Sequence, residues 1–324
     1  MPVLPTAADV EDAAGAIAGV AYRTPLLSSP ELDAITGARV FLKAETLQRT
    51  GSFKFRGAYN RLSRIPAAAR RNGVVAVSSG NHAQGVAAAG QILGIPVTCL
   101  MPVDSPASKL DRTRRAGAEL ILFDRDNDDR YAMARALTDK RGAVFVPPFD
   151  DFYIMAGQGT VGREIVEDLE ALGLLPEMVL IPCGGGGLTA GCALAIHDRA
   201  PSAQIWMVEP EGFDDQARSF AAGHRLSNAR NSGSICDGLL SPEPGELTFA
   251  VNRHHVAGGL SVSDDEVRRA VAFAFREFKL VVEPSGAVAL AALLEGRLDV
   301  KGQTVAAVLT GGNVDAGLFA GMIA

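Results

Sequence analysis

Lys54 lies between Phe53 and Phe55 in Thr50-Gly51-Ser52-Phe53-Lys54-Phe55-Arg56-Gly57-Ala58, in a chain with only six lysines among its 31 basic residues. A lysine in apolar surroundings loses hydration of its ammonium form, which lowers its pKa and frees the neutral amine for imine formation. Read alone, the segment also fits a surface lysine lying over aromatic rings. A second segment, Gly184-Gly185-Gly186-Gly187-Leu188, directly follows an apolar run. Glycines let the backbone approach an anion, and a helix starting there adds unpaired N–H groups and a dipole worth about 0.3–2 kcal/mol. With no Lys or Arg in it, this is a phosphate cradle made of backbone, or otherwise a tight strand-to-helix turn. The third segment is Ser78-Ser79-Gly80-Asn81-His82. Its hydroxyls and amides suit a substrate carboxylate, and the Asn81 amide suits a phenolic oxygen; alone it equally fits a helix N-cap.

Such residues must be carried by elements that bring distant segments together. From Gly73 onward, short β-rich runs alternate with helical stretches, the pattern of parallel sheets with crossover helices. Strands are expected over 74–78, 96–101, 119–123 and 143–146, with helices over 82–93, 105–115 and 130–140. Pro147-Pro148 interrupts the pattern, which restarts with a helix from about 159 to 172. Strands follow over 178–183, 204–209 and 304–309, with a helix over 188–199 and another opened by a Ser263/Glu266 capping box. The predicted fold class is α/β, with two parallel-sheet lobes and a site in the cleft between them. Gly185-x-Gly187-x-x-Ala190, with Glu209 ending the next strand, also matches a dinucleotide fingerprint. Against that rival, a full α/β lobe and the lysine segment precede it.

The composition, 48% hydrophobic and 21% charged over 324 residues, is that of a globular protein. The net charge of −6 comes with no basic run, which argues against a nucleic-acid partner. The N-terminal segment lacks the basic start and apolar core of a signal peptide, and no window has the ~18 uncharged apolar residues of a membrane span. Cys99, Cys183, Cys192 and Cys236 show no C-x-x-C spacing and suit buried thiols in a reducing cytoplasm.

In order along the chain, GSFKFRGA (51–58), SSGNHAQGVA (78–87), AGQGTVG (156–162), PCGGGGL (182–188), EPSG (283–286) and TGGNVD (310–315) resemble the threonine/serine dehydratase and serine racemase family, pyridoxal-phosphate enzymes of the tryptophan-synthase-β fold type. The resemblance implies pyridoxal 5'-phosphate as cofactor, a large cofactor-binding domain from 1–72 and 148–324, and a small substrate-closing domain from 73–147. It makes Lys54 the Schiff-base lysine, Phe53 the ring beside the cofactor, and Gly184, Gly185, Gly186, Gly187 and Leu188 the phosphate loop. Asn81 is then the partner of the phenolic oxygen and Thr310 that of the pyridine nitrogen. Ser78, Ser79, His82 and Arg130 would receive the substrate carboxylate, with Ser79 also a second acid/base as in racemases. Glu209, the Phe213 carbonyl and Asp215 resemble a divalent-cation site of hard oxygen ligands suited to Mg²⁺ or Ca²⁺.

The implied activity is β-elimination of ammonia from L-threonine or L-serine. Serine racemisation, 3-hydroxyaspartate dehydration and cysteine-synthase-like β-replacement are the alternatives, and a non-catalytic cofactor carrier stands outside enzymology. Phe149, where racemases have Asn, looks like dehydratases. The resemblance also implies a cytoplasmic homodimer or homotetramer. Because the sequence stops nine residues after Asp315, it implies no feedback domain.

Overall fold

The computed structural model of the chain describes residues 3–78, 80–105, 107–124, 127–230 and 232–324. Among the described residues, ten strands form two sheets: β1 (Leu26–Leu27), β2 (Arg39–Ala44), β3 (Val74–Val77), β4 (Val97–Pro102), β5 (Glu119–Phe123), β6 (Val144–Phe145), β7 (Met178–Pro182), β8 (Gln204–Pro210), β9 (Gly258–Val262) and β10 (Thr304–Leu309). One sheet runs β1-β2-β10-β7-β8-β9, parallel except for the β1–β2 pair, and the other runs β5-β4-β3-β6, all parallel. Parallel strands covered by helices on both faces read as unbroken apolar runs. Met178–Pro182 and Thr304–Leu309 are buried along their whole length.

The N-terminal segment joins the larger sheet, where β2 pairs with β10 in register from Arg39↔Thr304 to Ala44↔Leu309. The most apolar stretch of the sequence forms the Pro284–Leu294 helix, with Pro284 in its first turn and ten residues buried. Among the described residues, no helix is long and apolar enough to cross a membrane. All four cysteines are buried and free.

Two elements differ from expectation. The helix expected from about 159 runs over Phe152–Glu170, because the Asp151 side chain accepts from Tyr153 N and Ile154 N at 2.9 and 3.0 Å and caps it earlier. Its glycines are places of close approach. A Cβ on Gly157 would lie 2.7 Å from Gly57 Cα, and one on Gly159 would lie 2.6 Å from the Gly191 carbonyl. This helix therefore presses directly on the Lys54–Ser63 helix and on the Gly187–Arg199 helix, which fixes the lysine segment relative to the glycine loop. The edge strand β9 was not anticipated, since Gly258-Gly259 carries no strand signal. A Cβ on Gly258 would lie 2.7 Å from the Trp206 ring, so glycine is there for clearance.

Candidate active site

Ligands in open α/β sheets bind beyond the carboxyl ends of the strands. Here the ends of β3, β7 and β10 converge on one cavity of about 190 Å³, lined by Phe53, Lys54, Ser78, Asn81, His82 and Arg130, by the run Gly184–Leu188 and by Thr310. Segments more than 250 residues apart in the chain thus share one wall. The lysine segment is pinned to the end of β10: Phe53 N donates to the Thr310 carbonyl at 3.1 Å, Gly312 N donates to the Gly51 carbonyl at 2.9 Å, and Ser52 bridges Gly311.

Lys54 begins its helix with its side chain in the cavity. Its Nζ donates to the Pro148 carbonyl at 2.7 Å and lies 5.1 Å from the Phe53 ring centroid. Among the described residues no carboxylate pairs with it, and desolvation alone lowers the amine to about 8. Only one of the two flanking rings accompanies the amine. Because successive helical side chains diverge by about 100°, Phe55 turns instead into the core, where its ring sits 5.8 Å from Tyr59.

In the glycine loop the carbonyls are drawn inward. Gly184 O accepts from Gln216 Nε2 at 2.6 Å, Gly185 O from Thr248 Oγ1 at 2.7 Å and Gly186 O from Asn252 Nδ2 at 3.2 Å. The loop leads into the N-terminus of the Gly187–Arg199 helix and lines the cavity. The glycines also answer to their neighbours. Gly186 has φ +92°, and a Cβ on Gly185 would collide with the Phe149 ring.

His82 is buried, and its Nε2 lies 2.9 Å from the Val146 carbonyl while Nδ1 has no partner. Nε2 must carry the hydrogen, so the ring offers a lone pair and its help to a carboxylate falls to the main-chain N–H. Burial, reinforced by Lys54, pushes it down to about 3, keeping it neutral. Ser78 Oγ accepts from Gly80 N at 3.1 Å. Ser79 lies outside the described residues. Arg130 opens the Arg130–Arg141 helix with its guanidinium 5.1 Å from the Tyr131 ring centroid.

Sequence reasoning passed over Glu283 and Asn313, although both stand within the quoted motifs. Asn81 Nδ2 donates to Glu283 Oε1 at 2.6 Å, and Asn313 Nδ2 donates to Asn81 Oδ1 at 2.8 Å. Burial, with Asp237 adding to it, pushes the Glu283 carboxyl up to about 7. Lys109 forms an ion pair with Asp237 across the same cavity.

Glu209, Phe213 and Asp215 are buried together at the end of β8. Glu209 accepts from Gln216 N and Ala217 N at 3.1 and 2.9 Å, and Asp215 Oδ1 accepts from Asn228 Nδ2 at 2.6 Å. Asp215 Oδ2 is buried without a partner. Burial pushes both carboxyls up, Asp215 to about 7. Among the described residues, no cluster of three or more His, Cys, Asp or Glu side chains could hold a metal, so two carboxylates are what this place offers.

A desolvated lysine amine with no carboxylate partner among the described residues, sharing a cavity with a glycine loop between two sheets, suits an enzyme that binds a phosphate-bearing carbonyl cofactor. Residues 17–311 match the pyridoxal-phosphate dependent enzyme family, and the chain belongs to that family, among the threonine/serine dehydratases and serine racemases with the tryptophan-synthase-β fold. It is 42% identical to an L-threonine ammonia-lyase of Thermotoga maritima over 97% of this chain and 77% of that protein. It is 43% identical to an L-threo-3-hydroxyaspartate ammonia-lyase of a Pseudomonas species over 97% of both. The structure of maize serine racemase superimposes with a TM-score of 0.93 at 34% identity, covering 99% of this chain and 97% of that one. The inward-drawn loop carbonyls, the unpartnered His82 Nδ1 and the desolvated lysine amine fit pyridoxal phosphate.

Proposed function

We propose that the protein eliminates ammonia from L-threonine or L-serine, giving 2-oxobutanoate or pyruvate. The observation that carries this is the desolvated Lys54 amine, held by the Pro148 carbonyl, in one cavity with the Gly184–Leu188 loop. When bound, pyridoxal phosphate supplies the sink for electrons left at the substrate Cα. The loop amides would hold its phosphate, Phe53 would flank its ring, Asn81 would donate to its phenolic oxygen and Thr310 would meet its pyridine nitrogen. Ser78, the His82 main-chain N–H and Arg130 receive the substrate carboxylate, which sets the Cα hydrogen toward Lys54. The neutral lysine amine takes that proton at Nζ, a positioned base being worth about 10²–10⁴ in rate. Thr310 is uncharged, so it would offer the pyridine nitrogen a hydrogen bond and no counter-charge. Racemisation as a side reaction would need Ser79 as a second acid/base.

The division into a large domain of 1–72 and 148–324 and a small closing domain of 73–147 follows the two sheets. Lys109 and Arg130 bring cationic groups from the smaller sheet's side of the cleft. Glu209, the Phe213 carbonyl and Asp215 would hold Mg²⁺ or Ca²⁺, a role supported by the orphaned Asp215 Oδ2. A cytoplasmic homodimer or homotetramer is the expected form. Exposed Tyr22 and Leu47 support an interface, and sedimentation equilibrium measures it.

Purified protein loaded with pyridoxal phosphate should release 2-oxo acid and ammonia from threonine and serine, and Lys54→Ala should abolish this. A panel adding 3-hydroxyaspartate isomers and sulfide separates the related dehydration and β-replacement reactions. Absence of 2-oxo acid from every hydroxy amino acid in the panel would overturn the proposal.

A further inference from the structure

Asn81 is held in one rotation by partners on both sides. Its Oδ1 accepts from Asn313 Nδ2 at 2.8 Å and its Nδ2 donates to Glu283 Oε1 at 2.6 Å. Both N–H donors of Asn313 are themselves in use. Its Nδ2 hydrogens go to Asn81 and to the Thr50 carbonyl, the latter at 2.8 Å, and its Oδ1 accepts from Arg112 Nη1 at 2.7 Å. A carboxamide has two N–H donors, so one Asn81 hydrogen remains, on a residue that lines the cavity.

The backbone makes room for this chain of contacts. A Cβ on Gly311 would collide with Glu283 Oε1, and one on Gly51 would lie 2.7 Å from Asn313 Oδ1. Thr50, a β-branched residue, is held at φ +66° immediately before Gly51 at φ +74°. Such a conformation costs on the order of 1–3 kcal/mol and persists where surrounding contacts over-determine it. The Asn313 bond to the Thr50 carbonyl is one of those contacts.

Turning Asn81 over would set its carbonyl against Glu283 Oε1 and its NH₂ against the Asn313 NH₂. The NH₂–NH₂ contact is repulsive in either state of Glu283, and the carbonyl–carboxylate contact is repulsive while Glu283 is ionised, so the observed rotation is the favoured one. Glu283 can serve as acceptor in either protonation state, because a carboxylic acid keeps a carbonyl oxygen.

We propose that Glu283 and Asn313 are positioning residues that lock the Asn81 carboxamide with an N–H toward the cavity, making this wall an obligate hydrogen-bond donor to the cofactor's phenolic oxygen. This rests on the cofactor reading above and deepens it. The donor is imposed by two residues that need not touch the cofactor, and one end of the chain is Arg112, from the Ala107–Arg115 helix beside the smaller sheet.

The test compares wild-type protein with Glu283→Ala, Glu283→Gln and Asn313→Asp, each loaded with pyridoxal phosphate. Three quantities are read: the absorbance spectrum, the cofactor dissociation constant by equilibrium dialysis, and borohydride labelling of Lys54. Glu283→Ala and Asn313→Asp should move absorbance from the long-wavelength band to the near-ultraviolet band of the form whose phenol keeps its own proton. They should also weaken cofactor binding about tenfold, as expected for one lost hydrogen bond to a charged group. Glu283→Gln, which still accepts through its carbonyl oxygen, should keep the wild-type spectrum. Either shifting variant suffices if the other does not fold. Wild-type spectra from both, or a Gln variant shifted as far as the Ala variant, overturn the positioning role. If wild-type protein is not labelled at Lys54, the proposed function falls and this inference with it.

Discussion

Lys54 and Lys43 are both enclosed, and what separates them is company. Lys43 Nζ meets Glu164 at 2.8 Å and Asp168 at 3.3 Å, whereas Lys54 Nζ has a carbonyl and the edge of a cavity. An ammonium with counter-ions is structural; one without them gives up its proton and becomes a nucleophile. The folded value near 8 lies below the unfolded 10.5, so the neutral amine of the cofactor-free protein should grow in as pH rises through about 8. The rate of cofactor uptake, followed by absorbance from pH 6.5 to 9.5, should rise with that midpoint and level off above it. A midpoint near 10 would mean that the amine remains hydrated. The same shift makes the cofactor-free protein lose stability as pH falls from about 10.5 to 8, since the unfolded chain binds the proton more readily there. The rarity of lysine and the flanking Phe53 made this residue legible in sequence. Its lack of a carboxylate partner was not, because that depends on what other segments bring to the cavity.

The Lys54–Ser63 helix is held by Arg56, one of the largest side chains with no exposure at all. Its guanidinium meets Glu45 at 2.7 and 2.9 Å and Glu164 at 2.7 and 2.8 Å, tying the helix to the end of β2 and to the Phe152–Glu170 helix. Burial alone would raise the Glu164 carboxyl, but Arg56 and Lys43 outweigh it and hold it below its ordinary value. Removing one partner of such a set strands the others. Arg56→Met should therefore cost about 3–5 kcal/mol, seen as a lower urea midpoint whether or not the cofactor is bound. A change confined to the loaded protein would place Arg56 in the site instead of beneath it. In the sequence, Arg56 stood in plain view inside the motif with no sign of its burial. Strands and capping boxes are local and could be read; Glu45 and Glu164 come from opposite sides of Arg56 in the chain, and their meeting is tertiary. The close approaches of Gly157 and Gly159 in the Phe152–Glu170 helix were hidden for the same reason, whereas its early start rests on the local Asp151 cap.

Across the whole molecule, the alternation of strands and helices disclosed the α/β class and the ordered motifs disclosed the family, whereas the larger sheet's order is visible only in three dimensions. Stability of the whole protein should also report the cation. Asp215, ordinarily near 3.8, is pushed up to about 7 by burial, so without a cation the fold loses this group's contribution as pH rises from about 4 to 7. Mg²⁺ or Ca²⁺ should restore it once the carboxyl is ionised, raising the melting temperature more at pH 8 than at pH 6. An equal or absent gain at both pH values would remove Glu209 and Asp215 as ligands.

The placement of β10 between β2 and β7 bears on how the chain is made. Leu42 must wait for Ala307, its partner in the ladder, before that half of the sheet can form. At roughly 5–20 residues per second, a ribosome needs on the order of 10–50 seconds to cover that interval. For that time the nascent β2 edge is unpaired and apolar, so newly made chains are candidates for chaperone custody until the last strand emerges.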